Sequence, residues 1–266
     1  MRAAPANDSP LKTWLEQEET LLRIRLSVPK ANIIDAAMVV ELAKVFDQQK
    51  QAYAESAQTK IRAILLDAEG PHFSFGASVE EHLPGKCAAM LKGFHALLLQ
   101  MLSVHVPILV VIRGQCLGGG LELACAGSQL FASPEAKLGQ PEIVLGVIAP
   151  AASCLLPLRV GQAHAEDLLL SGRSLDAAEA KENGLIQVIA EDPEASALKY
   201  FETHLKTKSA DSLSFALQAS RKGLIGEVKS KLVAVEELYL HELMKNHDAI
   251  EGLNAFLEKR SPQWKN

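Results

Sequence analysis

Residues 114–124 read GQCLGGGLELA, and this stretch decides how the rest of the chain is interpreted. The apolar run Ile108 to Ile112 precedes it, so three consecutive glycines, Gly118 to Gly120, fall where a strand gives way to a helix. Glycines leave backbone N–H groups open to close approach, and a helix N-terminus adds the positive end of its dipole. The segment therefore predicts a backbone donor for a developing oxyanion.

Two glutamates accompany this turn. Glu122 follows the glycines, and Glu142 lies twenty positions further on, within residues 139–146, which read GQPEIVLG. Two carboxyl groups in a partly apolar pocket do not both ionise easily, so one keeps a proton that the other has lost. Beside an oxyanion donor, such a pair predicts proton transfer to and from a substrate, with the order of the two glutamates left open.

Length, composition and charge limit the possible classes of function. A chain of 266 residues, 48% of them apolar, is long enough for one large domain with an appendage or for two small domains. The formal net charge of −5 disfavours a general binder of nucleic acid or of membrane surfaces. We therefore expect neither a nucleic-acid partner nor a membrane partner.

The cysteines and the N-terminus indicate the compartment. Cys87, Cys116, Cys125 and Cys154 form no CxxC pair, which predicts buried free thiols in a reducing compartment and no metal site. Residues 1–10 are polar and small and lack a secretory pattern. No stretch reaches the about 20 apolar residues that a membrane span needs. We expect a cytoplasmic protein.

Hydrophobic periodicity predicts alternating strands and helices. Leu21 to Ser27 alternates apolar and charged residues, which predicts a half-exposed strand. Asp35 is a candidate cap for a helix that runs to about Tyr53. The other predicted elements are strands at Ile61–Leu66, Ile108–Ile112 and Leu185–Ala190 and a helix at Lys86–Ser103. This alternation predicts an α/β architecture with crossover helices.

The pattern divides the chain into three regions. We predict a flexible tail at residues 1–10, a core with the active site at residues 11–192, and a helical region at residues 193–266. In the last region the apolar spacing is helical, with a long amphipathic helix through Leu232–Leu243 and a final helix at Asp248–Lys259.

Four motifs in one order resemble the crotonase (enoyl-CoA hydratase/isomerase) superfamily, and the similarity runs from about Trp14 to Trp264. The motifs are residues 73–78 (FSFGAS), 114–123, 139–143 and 251–260 (EGLNAFLEKR). The resemblance implies a spiral of ββα turns with a C-terminal helical trimerisation region, assembled as a trimer or a dimer of trimers. It also implies an acyl-CoA thioester as substrate, and no cofactor beyond the CoA of that substrate.

The resemblance also implies roles for individual residues. The N–H groups of Ala77 and Gly119 match those that hold the thioester oxygen, and Glu122 and Glu142 match the two carboxylates that handle water and proton. In an enolate-like transition state, two fixed N–H donors stabilise charge where it develops. The expected substrate-binding residues are Lys30, Ala31, Phe75, Gly76, Ser78, Pro150, Ser153, Cys154, Phe256 and Lys259.

Within the superfamily, residues 70–82 and 149–157 most resemble the hydratases that act on cyclohexa-1,5-diene-1-carbonyl-CoA in anaerobic benzoyl-CoA degradation. The same residues depart from ordinary enoyl-CoA hydratases, which usually carry Gly-Ala-Asp at residues 76–78 and Pro-Gly-Ala-Gly-Gly at residues 149–153. Pro150 has no N–H to donate, and the neighbouring alanines crowd a spot that glycines leave open. We therefore expect a pocket shaped for a compact ring.

Three other functions stay open at this point. A general enoyl-CoA hydratase of fatty-acid or amino-acid breakdown has the same chemistry. An isomerase normally needs one carboxylate, so the presence of both Glu122 and Glu142 disfavours it. A non-catalytic crotonase-like protein that binds RNA or a protein partner is disfavoured by the acidic balance and the intact glutamates.

Overall fold

The structure, a computed structural model, describes residues 9–55 and 60–265. Residues 1–8 of the predicted tail lie outside the described residues. The strands are β1 Leu11–Glu16, β2 Leu21–Leu26, β3 Ala63–Ala68, β4 Ile108–Ile112, β5 Gln115–Leu117, β6 Gln129–Ala132, β7 Lys137–Gly139, β8 Ser174–Asp176 and β9 Val188–Ile189. The helices are α1 Ala36–Glu55, α2 Cys87–Ser103, α3 Gly119–Cys125, α4 Pro150–Val160, α5 Gln162–Ser171, α6 Ala177–Glu182, α7 Pro193–Tyr200, α8 Ala210–Ser220, α9 Leu224–Glu237 and α10 His247–Leu257.

Two sheets organise the chain. The larger sheet has the strand order β1-β2-β3-β4-β6-β9, in which only the β1–β2 pair is antiparallel. The smaller sheet has the order β5-β7-β8. Beside the small sheet, Ser74 forms a single bridge with Cys116 of β5. A second single bridge joins Ile34 and Ala77.

Each turn of the chain adds a strand to the large sheet, an extended segment beside the small one, and then a helix. The units β4-β5-α3 and β6-β7-α4 follow this order directly, and β3 is followed by the bridge residue Ser74 and then α2. Parallel strands need such crossovers, because a short hairpin only joins antiparallel neighbours. The predicted α/β spiral of ββα turns is confirmed.

Helix α1 shows how local sequence sets an element. The Asp35 carboxylate accepts a hydrogen bond from the N–H of Met38 at 2.9 Å, as predicted for the cap. The helix buries Met38, Leu42 and Phe46, which recur on one face at helical spacing. None of the helices in the described ranges is long and apolar enough to cross a membrane.

Helices that follow residue 193 have two different locations. Helix α7 lies on the large sheet, where Ala197 and Phe201 pack with Leu65 and Leu109. The later helices reach the other end of the molecule, where Tyr239 and Leu253 belong to a buried cluster with Val147. Helix α10 packs against the short helical segments Val79–His82 and Pro141–Leu145. Helix α10 therefore supports the segment that carries Glu142 and the segment that follows loop 73–78.

The prediction that the strand at Leu21–Ser27 is half-exposed is wrong. Arg23 is only 2% exposed, because its guanidinium lies 2.7 Å from the Asp67 carboxylate, which is fully buried. A charged side chain that is paired in this way can be buried between strands. The alternation of apolar and charged residues in β2 therefore did not indicate a solvent-exposed face. Strand β1, which the sequence pattern did not predict, pairs along β2 and covers it.

Two strand boundaries also differ. Strand β3 begins at Ala63 rather than Ile61. The late strand predicted at Leu185–Ala190 is reduced to β9, Val188–Ile189, which pairs in register with Phe131 and Ala132 at the end of β6. A strand at a sheet edge extends only as far as its neighbour offers hydrogen-bonding partners.

Candidate active site

The glycine turn joins β5 to α3 and holds a carboxyl group against the backbone. Gly118 has φ 51° and ψ −127°, a conformation that favours glycine, and its N–H donates to the carbonyl of Gly139 at 2.9 Å. A Cβ added to Gly118 would lie 2.6 Å from Oε1 of Glu142. Both the bend of the chain and the approach of this carboxyl therefore require glycine at residue 118.

Loop 73–78 lies directly on this turn. A Cβ on Gly119 would lie 3.0 Å from the amide nitrogen of Ala77, and a Cβ on Gly76 would lie 3.4 Å from the amide nitrogen of Gly119. The Ser74 hydroxyl fixes the loop, because it donates to the carbonyl of Asn32 at 2.7 Å and accepts from the N–H of Gly76 at 3.0 Å. The small residues of both segments thus bring two backbone amides side by side.

The amides of Ala77 and Gly119 are available to a ligand. Neither donates a hydrogen bond to another group within residues 9–55 and 60–265. Buried N–H groups are normally paired, so two neighbouring ones without a protein partner form a place for an acceptor oxygen. The two amide nitrogens therefore lie close together, in segments 73–78 and 118–120, without a partner among the described residues.

Glu122 lies in the first turn of α3, where it is only 5% exposed. Its Oε1 accepts a hydrogen bond from the N–H of Ala152 at 2.7 Å. Ala152 belongs to the first turn of α4, whose positive dipole end faces the carboxylate. Burial raises the pKa of Glu122 to about 7, and the N–H groups of Ala152 and Ala151 partly oppose that rise.

Glu142 lies in the short helical segment Pro141–Leu145 and is half-buried. Burial raises its pKa to about 8, and the charge of the neighbouring Glu122 contributes to that rise. Two interacting carboxyl groups release their protons in separate steps. One group of such a pair can therefore be protonated while the other is ionised.

A cavity of about 50 Å³ lies beside Glu142. Three residues predicted to contact the substrate or its oxyanion line it, namely Phe75, Gly76 and Ala77. The remaining lining residues are Val79, His82, Gly118, Pro141, Glu142, Leu145 and Val147. Among these described lining residues, only Glu142 and His82 carry polar side chains.

Several other predicted residues form hydrogen bonds near the site instead of lining its cavity. The carbonyl of Ala31 accepts from the N–H of Phe75 at 2.9 Å, and the carbonyl of Ser78 lies 2.8 Å from Nδ1 of His82. The Ser153 hydroxyl donates to the carbonyl of Ala149 within the first turn of α4 at 2.8 Å. None of Ala31, Ser78 or Ser153 lines the cavity.

Pro150 and Cys154 lie on α4. Pro150 is its first residue, where a missing N–H leaves no helix hydrogen bond unmade. Ala151 and Ala152, which follow it, supply backbone N–H groups that face Glu122 from the N-terminus of α4. Cys154 is 1% exposed and packs in the main core, and burial raises the pKa of its thiol to about 11.

The remaining predicted substrate contacts lie on the surface. Phe256 is 54% exposed near the end of α10, and Lys259 follows it with a positive φ of 55°. Lys30 is exposed as well, with φ 94°. These three side chains are accessible to an extended ligand and do not line the cavity beside Glu142.

Three residues contribute to the site without having been predicted. The buried Gln140 side chain, with its amide nitrogen turned toward Glu142, donates to that carboxyl at 3.0 and 3.2 Å. Ala152 donates to Glu122, and His82 lines the cavity. The sequence offered one clue to the role of Gln140, because this residue lies two positions before Glu142 in the same segment. Nothing in the sequence pattern pointed to His82. Within the described part of the chain, no group of three or more His, Cys, Asp or Glu side chains is placed to hold a metal.

Known proteins resemble this chain over almost its whole length. The family model described as enoyl-CoA hydratase/isomerase matches residues 16–266. A Thauera aromatica protein named cyclohexa-1,5-dienecarbonyl-CoA hydratase is 62% identical over 258 residues, which cover 97% of this chain and 98% of that protein. A Bacillus subtilis (strain 168) protein named probable enoyl-CoA hydratase is 33% identical and covers 89% of this chain and 92% of that protein.

Solved structures share the fold. A crystal structure of enoyl-CoA hydratase/isomerase from Pseudoalteromonas atlantica T6c has a TM-score of 0.80 at 28% identity, covering 96% of this chain and 99% of the other. An enoyl-CoA hydratase from Mycobacterium avium subsp. paratuberculosis K-10 reaches a TM-score of 0.81 at 20% identity, covering 97% and 99%. From the family model, the related sequences and the site geometry together, the chain belongs to the enoyl-CoA hydratase/isomerase family.

Proposed function

We propose that this protein is a hydratase that adds water to cyclohexa-1,5-diene-1-carbonyl-CoA and forms 6-hydroxycyclohex-1-ene-1-carbonyl-CoA, in benzoyl-CoA degradation. The observation that carries the proposal is the 62% identity, over 97% of the chain, to the Thauera aromatica hydratase of that substrate. A general enoyl-CoA hydratase is less favoured, because the relative of that name is only 33% identical. A buried and a half-buried glutamate beside two available amides suit hydration of a thioester.

The first step places negative charge on the thioester oxygen. The water oxygen joins ring carbon C2, which is β to the carbonyl, and the C1–C2 double bond delocalises toward the carbonyl oxygen. The N–H groups of Ala77 and Gly119 donate to this oxygen, and each such donor is worth about 3 kcal/mol in the transition state. The amides are fixed in the backbone, so they need no reorganisation as the charge develops.

The second step places a proton on the opposite side of the ring. The dienolate extends over C1, C6 and C5, and protonation at C5 leaves one double bond conjugated with the carbonyl, which is the bond found in the proposed product. One carboxyl group takes a proton from water while the other gives its proton to C5. Glu122 and Glu142 supply these two groups, and all the chemistry uses side chains and amides of this chain.

The proposal also covers the contacts with CoA, the oligomeric state and the cellular setting. We propose that Phe256 and Lys259 contact the CoA portion of the thioester, supported by their exposure at and just beyond the C-terminal end of α10, which packs beside residues 141–145. We also propose a homo-oligomer, a trimer or a dimer of trimers, supported by exposed apolar side chains such as Phe215 and Val233 on the C-terminal helices. Free, buried cysteines support a reducing, cytoplasmic setting.

A substrate comparison tests the function. Purified protein is offered cyclohexa-1,5-diene-1-carbonyl-CoA and crotonyl-CoA side by side, and products are followed by chromatography with mass detection. We expect strong hydration of the cyclic diene and little hydration of crotonyl-CoA. In D₂O the cyclic product should carry one non-exchangeable deuterium at the carbon opposite the new hydroxyl. Preferential hydration of crotonyl-CoA would replace the proposal with a general enoyl-CoA hydratase.

A further inference from the structure

His82 and Glu142 both line a small cavity, and among its described lining residues they alone carry polar side chains. The walls around these two groups come from Phe75, Leu145 and Val147 and from other carbon-rich or backbone surfaces. The cavity measures about 50 Å³. A water molecule needs about 10–15 Å³ of such volume and two to four polar partners. The space beside Glu142 thus suits a water molecule or a hydroxyl group held between the two side chains.

The hydrogen bonding of His82 fixes which ring nitrogen is free. Nδ1 lies 2.8 Å from the carbonyl oxygen of Ser78. A carbonyl oxygen only accepts, so Nδ1 carries a proton. Burial lowers the pKa of His82, which favours the neutral ring and leaves a lone pair on Nε2. No group among residues 9–55 and 60–265 donates a hydrogen bond to Nε2.

We propose that Nε2 of His82 accepts a hydrogen bond from the reacting oxygen, which is water before addition and the ring hydroxyl afterwards, with Glu142 as the second partner. This inference rests on the proposed hydration. One O–H bond of water breaks, and its proton goes to a carboxylate. The other O–H bond is kept in the product and donates to His82 throughout. The neutral imidazole therefore orients the oxygen without taking a proton from it.

Substitutions at residue 82 separate this role from a purely structural one. His82→Asn keeps an N–H donor near the place of Nδ1, which preserves the contact with Ser78, and removes the atom at Nε2. His82→Gln places an amide oxygen near Nε2 and gives up the contact with Ser78. His164→Asn changes an exposed histidine on α5 and serves as the matched control.

Product binding gives the most direct readout, because it needs no turnover. We expect His82→Asn to weaken binding of 6-hydroxycyclohex-1-ene-1-carbonyl-CoA about tenfold by calorimetry, and to leave binding of cyclohex-1-ene-1-carbonyl-CoA, which lacks the hydroxyl, unchanged. His82→Gln should retain part of the preference for the hydroxylated ligand. Equal losses for both ligands, or no loss for either, would overturn the proposal.

Kinetics provide a second, independent test. In His82→Asn, kcat should fall about tenfold to a hundredfold while KM stays within about twofold, and His82→Gln should recover part of kcat. Unchanged kcat in His82→Asn, or parallel losses of kcat and thermal stability in both variants, would assign His82 a structural role only. If the wild-type protein hydrates crotonyl-CoA instead of the cyclic diene, the proposed substrate fails, and the same variants measured on crotonyl-CoA still decide the role of His82.

Discussion

At the scale of single residues, Glu122 illustrates the conflict between stability and reactivity. Its carboxyl is 5% exposed, and burial raises its pKa from 4.5 to about 7. In the unfolded chain the group ionises near its ordinary pKa. Between these two pH values the folded protein binds the proton more tightly than the unfolded chain does. Stability is therefore lost as the pH rises from about 4.5 to about 7.

Glu122→Gln should relieve this loss. The neutral amide can still accept the hydrogen bond from Ala152, and we expect the free energy of unfolding at pH 8 to rise by at most about 3 kcal/mol relative to that of the wild type. The same variant should lose turnover by orders of magnitude. Thermal unfolding at pH 5 and pH 8 checks the first expectation, with exposed Glu227→Gln as control. Equal shifts at both pH values would show that burial does not raise this pKa.

The predicted site residues differ in how far local sequence could reveal them. Gly119 and Glu122 share one short segment, and Glu142 lies in another of the same kind, so sequence pattern and spacing pointed to all three. Their catalytic roles stay predictions. His82 and Ala152 were not predicted, because each acts on a group from a distant segment, Glu142 for His82 and Glu122 for Ala152. Only the fold brings those segments together.

At the scale of elements, the pair β2–β3 depends on a buried ion pair. Asp67 on β3 is fully buried and accepts from Arg23 at 2.7 Å and from Nε of Arg25 at 2.8 Å. A carboxylate shared in this way holds two cations of the neighbouring strand. Removing its charge leaves Arg23, which is 2% exposed, paired with Glu16 and Glu194 at 3.2 and 2.9 Å.

Asp67→Asn should destabilise the protein by about 3 kcal/mol, because Arg23 and Arg25 then lose their charge-assisted hydrogen bonds to a shared, fully buried carboxylate. Activity per folded molecule should be unchanged, since these strands do not line the cavity beside Glu142. Urea unfolding measures the first quantity. The exposed pair of Lys44 and Glu41 provides the comparison, because Glu41→Gln should cost less than about 1 kcal/mol. Similar effects of both substitutions would mean that the Asp67 network contributes little.

Element prediction succeeded where hydrophobicity alone decides. Strand β4 and the cap of α1 occur where the sequence placed them. The exposure of β2 was wrong because the partner of Arg23 lies on β3, about forty residues further along the chain. The late strand was predicted too long, because its observed extent is set by its pairing with two residues of β6, Phe131 and Ala132. Pairing partners, rather than local propensity, set these features.

At the scale of the whole molecule, the C-terminal helices leave apolar side chains uncovered. Phe215, Val233 and Leu238 are 66%, 58% and 51% exposed. Large apolar side chains that recur on neighbouring helices mark an interaction surface when they form one patch. Light scattering coupled to size exclusion should give three or six times the chain mass of 28.7 kDa. Phe215→Glu together with Val233→Glu should lower that mass, and a monomeric wild-type protein would contradict the proposed assembly.

The spiral has a further consequence for how the protein matures. Ala77, Gly119 and Glu142 follow three successive strands of the large sheet, β3, β4 and β6, and the amide that faces Glu122 belongs to the helix after them. No single hairpin or helix contains all of these groups. Under the proposed mechanism we therefore expect secondary structure to return before activity during refolding. We expect a nascent chain that has emerged only as far as Gly120 to have no turnover, because both proposed carboxyl groups are still missing from it.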